Sequence, residues 1–168
     1  MITALKRVDK FIVMTTQTVV AFIGCLFTFL ICLEVASRFV FAFSIYQING
    51  LARFLLMWFF FLGAGLALKR GEHVGFEIFR NLIPLKIRRV VFIVAHICIL
   101  IFLLELLYGS IKVLPASLNQ IENTLDVSVF WAYLAIPVGI ILMIYHELVL
   151  FAYWYTDDMR GQHRGSPS

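Results

Sequence analysis

Few side chains of this sequence could do chemistry inside the long apolar stretches that make up most of it. His96 and His146 fall in two such stretches, each roughly 12 to 14 Å of helix from the same boundary, so both could in principle ligate one haem. The plainer reading is that each hydrogen-bonds within a core, as buried histidines more often do. A small self-sufficient exporter would need an acidic residue deep in the membrane to couple to protons, but Glu34 and Glu147 lie near boundaries and Glu105 is off-centre. Glu34 and Arg38 stand four residues apart on one helical face, a spacing that lets them pair. Arg53 begins the next helix at a similar height, so Glu34, Arg38, Arg53 and Glu105 gather near one rim. Cys25, Cys32 and Cys98 show neither C-x-x-C nor metal-ligand spacing and are read as small packing residues. No catalytic group, metal site or cofactor is expected, and no nucleic-acid partner; the chain is not read as an enzyme.

The elements that carry these residues must live in lipid. Hydrophobic residues make up 62% of 168 and charged residues 14%, and the mean hydropathy is +0.94. A water-soluble domain could not sustain these values. From Phe11 to Leu33 the only ionisable groups are thiols, and at about 1.5 Å per residue this run covers the roughly 30 Å hydrocarbon layer. The same logic predicts an all-α integral membrane bundle of four transmembrane helices, at about 11–36, 51–69, 88–111 and 127–155. Residues 1–155 are expected to form one membrane domain, and 156–168 a mobile, polar cytoplasmic tail rich in turn formers. Pro115 is expected to end the third helix, and Pro137, followed by Gly139, to bend the fourth. Gly63 and Gly65, with Ala64 and Ala67, form a small-residue patch where another helix can approach closely.

Basic residues set the orientation, because Lys and Arg resist translocation. With four spans, both termini and the loop at 69–89 share one side, which holds 11 of the 14 Lys and Arg. Both termini are therefore cytoplasmic. Trp131 and Tyr133 open the fourth helix and Tyr153, Trp154 and Tyr155 close it, putting aromatic belts roughly 35 Å apart. Within the charged loop, Phe76, Phe79, Leu82 and Ile83 recur at helical spacing before Pro84, which predicts a short interfacial amphipathic helix at about 74–83. Gly71 is expected to supply a tight turn, with His73 hydrogen-bonding it, and Arg70, Arg88 and Arg89 to anchor the loop to membrane lipids.

Two segments then carry a resemblance. "EVASRFVFAFS" at 34–44 and "ARFLLMWFFFLGAGLALKRGEHVGFEIFRNLIP" at 52–84 present, in order, E-x-x-x-R, W-x-x-F-x-G-A and basic-G-x-H-V. This pattern resembles the DctQ-like small membrane subunit of tripartite ATP-independent periplasmic (TRAP) transporters. One place departs: where members often carry an acidic pair before the second span, this chain reads Asn49 and Gly50. The resemblance implies a bacterial inner-membrane protein that accompanies a large membrane subunit driven by a sodium gradient. It also implies a periplasmic substrate-binding protein that captures an organic acid, of the sialic acid or C4-dicarboxylate class. On that basis Glu34, Arg38, Arg53 and Glu105 are candidates for subunit or binding-protein contact, with Arg53 the one expected to face outward. Most of these charges are read as tying the chain's own helices together.

Overall fold

The computed structural model describes the backbone of residues 2–43, 46–80 and 85–164, and side chains over 7–40, 42–43, 46–69, 87 and 90–153. Four long helices carry the chain: α1 (Ile2–Phe41), α2 (Tyr46–Arg80), α3 (Leu85–Leu118) and, after the single turn α4 (Phe130–Tyr133), α5 (Ala135–Arg164). Their membrane-compatible stretches are Arg7–Val40, Tyr46–Lys69, Val90–Leu118 and Phe130–Tyr153. The expected four spans are present. Several extend beyond the apolar runs because a helix continues wherever its backbone bonds close internally, whether or not lipid surrounds it.

α2 and α5 form the central pair, α1 packs on α2, and α3 packs on α5. This order follows from where small residues fall. Gly24 of α1 lies against the Phe59 ring, Gly65 of α2 against Leu142, and Gly139 of α5 directly against the Phe61 backbone. Nearly half of the fourth span is consequently buried, against 6% of the first and third. The faces of α1 and α3 are apolar around most of their circumference and point outward, which only lipid or a partner protein can accommodate.

α1 stops where Ala42 turns left-handed, with φ of 52°. α3 and α4 are joined by a small hairpin in which β1 (Ile121–Glu122) pairs antiparallel with β2 (Val127–Ser128). Asp126, one of the residue types that tolerates the left-handed region, closes it with φ of 53°. Ser128 Oγ ties the hairpin down, donating towards the Ser117 and Leu118 carbonyls at 3.1 and 3.2 Å and accepting from the Phe130 N–H at 3.2 Å.

Three local expectations differ from what forms. Pro115 does not end α3, which runs one turn further to Leu118 with the proline inside it. A proline this close to a helix end deletes only one backbone bond. α2 passes through Gly71 without a turn and continues to Arg80, a glycine inside a helix costing only about 1 kcal/mol relative to alanine. Residues 74–80 are thus the end of α2, and 81–83 of the expected interfacial helix lie outside the described residues. In the fourth span the interruption falls at Leu134, three residues before Pro137. Proline has no N–H to offer the Tyr133 carbonyl, so the helix breaks one turn upstream of it.

Candidate functional site

The polar groups form two levels, one at the hairpin end of the helices and one near the ends that carry the chain termini. At the hairpin end, Glu34 Oε1 accepts a hydrogen bond from Asn49 Nδ2 at 2.9 Å, joining α1 to the first turn of α2. Glu34 does not pair with Arg38; the arginine is exposed and has no ion-pair partner among the described residues. An i, i+4 spacing permits a pair but does not compel it when a donor on the next helix is closer to hand. Asn49 occupies the place noted above as departing from the acidic pair, and it works here as a neutral donor.

Arg53 forms an ion pair with Glu122 across 2.5 Å, with two-thirds of its side chain still exposed. Glu122 organises the hairpin: its other oxygen accepts from the Thr124 hydroxyl and from the Thr124 and Leu125 backbone N–H groups, the latter two at 2.7 and 3.1 Å. Gly50 makes room for this turn, since a Cβ there would lie 2.3 Å from Thr124 Oγ1. A 3.1 Å bond from Trp58 Nε1 to the Trp131 carbonyl ties α2 to α4 beside it.

The Glu122 carboxyl is held below its ordinary value of 4.5, chiefly by the Thr124 hydroxyl. Burial opposes this, and the Thr124 N–H, Arg53 and the Leu125 N–H add to it. A depressed carboxylate stabilises the fold above its unfolded-state value and loses that contribution as pH falls through the folded-state value. Acidification below 4.5 should therefore loosen the hairpin while the helices persist. The measurement is amide hydrogen exchange at Thr124 and Leu125, corrected for the intrinsic rate. Glu122→Gln should show the faster exchange already at neutral pH.

At the other level, α5 presents two consecutive polar residues to opposite neighbours. Successive helical residues diverge by about 100°, so His146 turns towards α1 and α2 while Glu147 turns towards α3. Glu147, 3% exposed, pairs with His96 Nδ1, and Phe92 and Phe151 flank that imidazole edge-on at 4.0 and 6.0 Å. His146, 1% exposed, lies with Nδ1 3.8 Å from Asp9 Oδ1, and Asp9 in turn pairs with Lys69. Asp9 Oδ1, the Tyr145 hydroxyl and both His146 ring nitrogens have no hydrogen-bond partner among the described residues. The two histidines thus serve different partners, and no group of three metal-ligating side chains occurs among the described residues.

Glu105 lies well inside α3, about 20 Å of helix from Leu118 and about 22 Å from Val90. Its position is more central than the sequence spacing implied, because α3 outruns Pro115. It is exposed. Gly65 packs closely, but Gly63 faces open space, with no neighbour within 4 Å among the described residues. Cys25, Cys32 and Cys98 are exposed free thiols rather than packing residues. The side chains of Arg70, His73, Arg88 and Arg89 lie outside the described residues, and Gly71 is known only as part of α2.

The sequence reading missed Asp9, Lys69, His96 with Glu147, and Glu122 as structural ties. Antiparallel neighbours bring Asp9, two residues before the first apolar run, level with Lys69, the residue that closes the second. That matched depth was the available signal.

Four spans cross-tied by polar pairs at two levels, with apolar outer faces, define a multi-pass membrane protein built for helix association. Residues 27–156 match the family model described as tripartite ATP-independent periplasmic transporters, DctQ component. The chain belongs to that family and is a multi-pass inner-membrane protein. It is 30% identical over 106 residues to the C4-dicarboxylate TRAP transporter small permease protein DctQ of Vibrio cholerae serotype O1, covering 62% of this chain and 45% of that protein. It is 31% identical over 103 residues to the sialic acid TRAP transporter small permease protein SiaQ of the same organism, covering 58% and 57%. A third match, 28% identical over 116 residues, is to the sialic acid TRAP transporter permease protein SiaT of Haemophilus influenzae, covering 67% of this chain and 18% of that protein. The matched region thus spans between about a fifth and just over half of these relatives.

Proposed function

We propose that this chain is the non-catalytic small membrane subunit of a sodium-coupled TRAP transporter. In this role it braces the large transport subunit and helps dock the periplasmic binding protein during uptake of a sialic acid or C4-dicarboxylate substrate. The observation that carries this reading is the set of matches: two relatives are named small permease proteins, and the third contains the matched region as 18% of a single permease. A module found joined to a much larger permease in one protein is expected to sit beside one in another. The apolar outward faces of α1 and α3 are consistent with that neighbour.

Both termini face the cytoplasm in this reading, with Arg70, Arg88 and Arg89 holding the loop after α2 to anionic lipid. The hairpin end then faces the periplasm. Arg53, paired on one side and exposed on the other, is offered there to the binding protein. The test is affinity purification from native membranes, followed by reconstitution. A large multi-span subunit should co-purify, and liposomes holding this chain alone should not take up solute. Purification of the chain without such a partner, or uptake by the chain alone, would overturn the proposal.

A further inference from the structure

Among the acidic side chains placed within the spans, Glu105 differs from Glu34 and Glu147 in having no hydrogen bond or ion pair among the described residues. It borders a groove of about 240 Å³ between α3 and the start of α5, whose lining includes Gly109, Ser110, Val113 and Tyr133. Gly109 leaves the floor open, because a Cβ there would meet nothing within 4 Å among the described residues. Ser110 turns its hydroxyl onto the Leu107 carbonyl at 2.8 Å, so it offers no donor to the carboxylate. Lys112, the cation next along α3, stacks over the Tyr108 ring at 4.3 Å.

A carboxylate facing hydrocarbon is costly, and a glutamate side chain is too short to snorkel the length of helix that separates it from either end of α3. A polar group in that position is retained where a partner satisfies it. We infer that the Glu105 groove receives a transmembrane helix of the large permease subunit, which places a Lys or Arg against the Glu105 carboxylate and its backbone close to Gly109. The commitment to a foreign helix rests on charge and depth. Every Lys and Arg of this chain lies towards one end or the other of its spans. A second copy packed side by side would therefore bring none of them level with Glu105 except by sliding along the helix axis. Small residues at the contact let two backbones approach, as helix pairs in lipid require. This inference rests on the small-subunit role proposed above and specifies where the neighbour docks.

The test uses the full complex from native membranes, with Glu105→Gln and Glu105→Lys in this chain and, separately, a photo-crosslinking residue at Val113. Because Glu105 is exposed and unpaired among the described residues, both variants should melt in detergent like the unaltered chain. Glu105→Lys should lower the yield of co-purified large subunit at least tenfold and Glu105→Gln by a smaller factor. The Val113 probe should give an adduct with the large subunit. If the unaltered chain brings down the large subunit but both variants do so within twofold of it, the Glu105 contact is wrong and the small-subunit role stands. Adducts only with lipid or with a second copy of this chain would overturn the contact in the same way. If the unaltered chain brings down no large subunit, both fall together.

Discussion

Lys69→Ala should release α1 from the bundle, at a cost of about 3 kcal/mol, the lower end of the range for removing one partner of a buried ion pair. Lys69 is the only cation facing Asp9 among the described residues other than a protonated His146, and Asp9 is 7% exposed. Removing the ammonium leaves a carboxylate between α1, α2 and α5 with one oxygen already lacking a hydrogen bond among the described residues. The lower end applies because about a quarter of the Lys69 side chain is exposed and water can reach it. Asp9→Asn combined with Lys69→Met should recover most of the loss, since removing both charges also removes both desolvation penalties. The measurement is the unfolding transition of the purified chain in detergent, with labelling of an engineered cysteine on the α2-facing side of α1 as the local readout. If Lys69→Ala melts like the unaltered chain, the Asp9 pair does not hold α1.

The number of membrane-spanning helices was legible because, in a membrane chain, it is set by one quantity: the length of sequence without charge. That rule needs no knowledge of neighbours. It fails where continuation of a helix is decided locally, as at Pro115 and Gly71, which were expected to end helices and instead lie within them. The polar contacts were less legible, because a partner is chosen by how each helix is rotated about its axis. Glu34 had a sequence neighbour in Arg38 at ideal spacing, yet its carboxylate accepts from Asn49 on another helix. Arg53 was expected to face outward; two-thirds of its side chain is exposed, and it pairs with Glu122, which lies in a connection that showed no periodicity to read. His96 and His146 were noted for their matched depth. Depth alone could not reveal that the adjacent Glu147 would engage one of them while Asp9 approached the other.

Close packing separates the glycines in a way that composition cannot, and the largest packing effect should come from one first noticed only as a bend. Gly63, Gly65 and Gly139 all lie in the central spans, but a Cβ at Gly139 would fall 2.6 Å from Phe61 Cβ and 2.8 Å from the Phe61 carbonyl oxygen. Backbone cannot swing aside as a side chain can, so Gly139→Val must push α2 and α5 apart along their shared seam. Overpacking usually costs 1–3 kcal/mol, and contact with backbone puts this change at about 3 kcal/mol or more. At Gly65 the added methyl would meet Leu142 Cδ2 at 3.0 Å, the end of a flexible side chain, so Gly65→Ala should cost less than about 1 kcal/mol. At Gly63 nothing among the described residues opposes it, and Gly63→Ala should be neutral or stabilising by up to about 1 kcal/mol through helix propensity. Melting the three variants in detergent tests the order Gly139, Gly65, Gly63 directly. Loss of large-subunit binding by Gly63→Ala, with its melting unchanged, would show that the open face of α2 is also a docking surface. Equal destabilisation at all three positions would mean that α2 and α5 do not meet at Phe61.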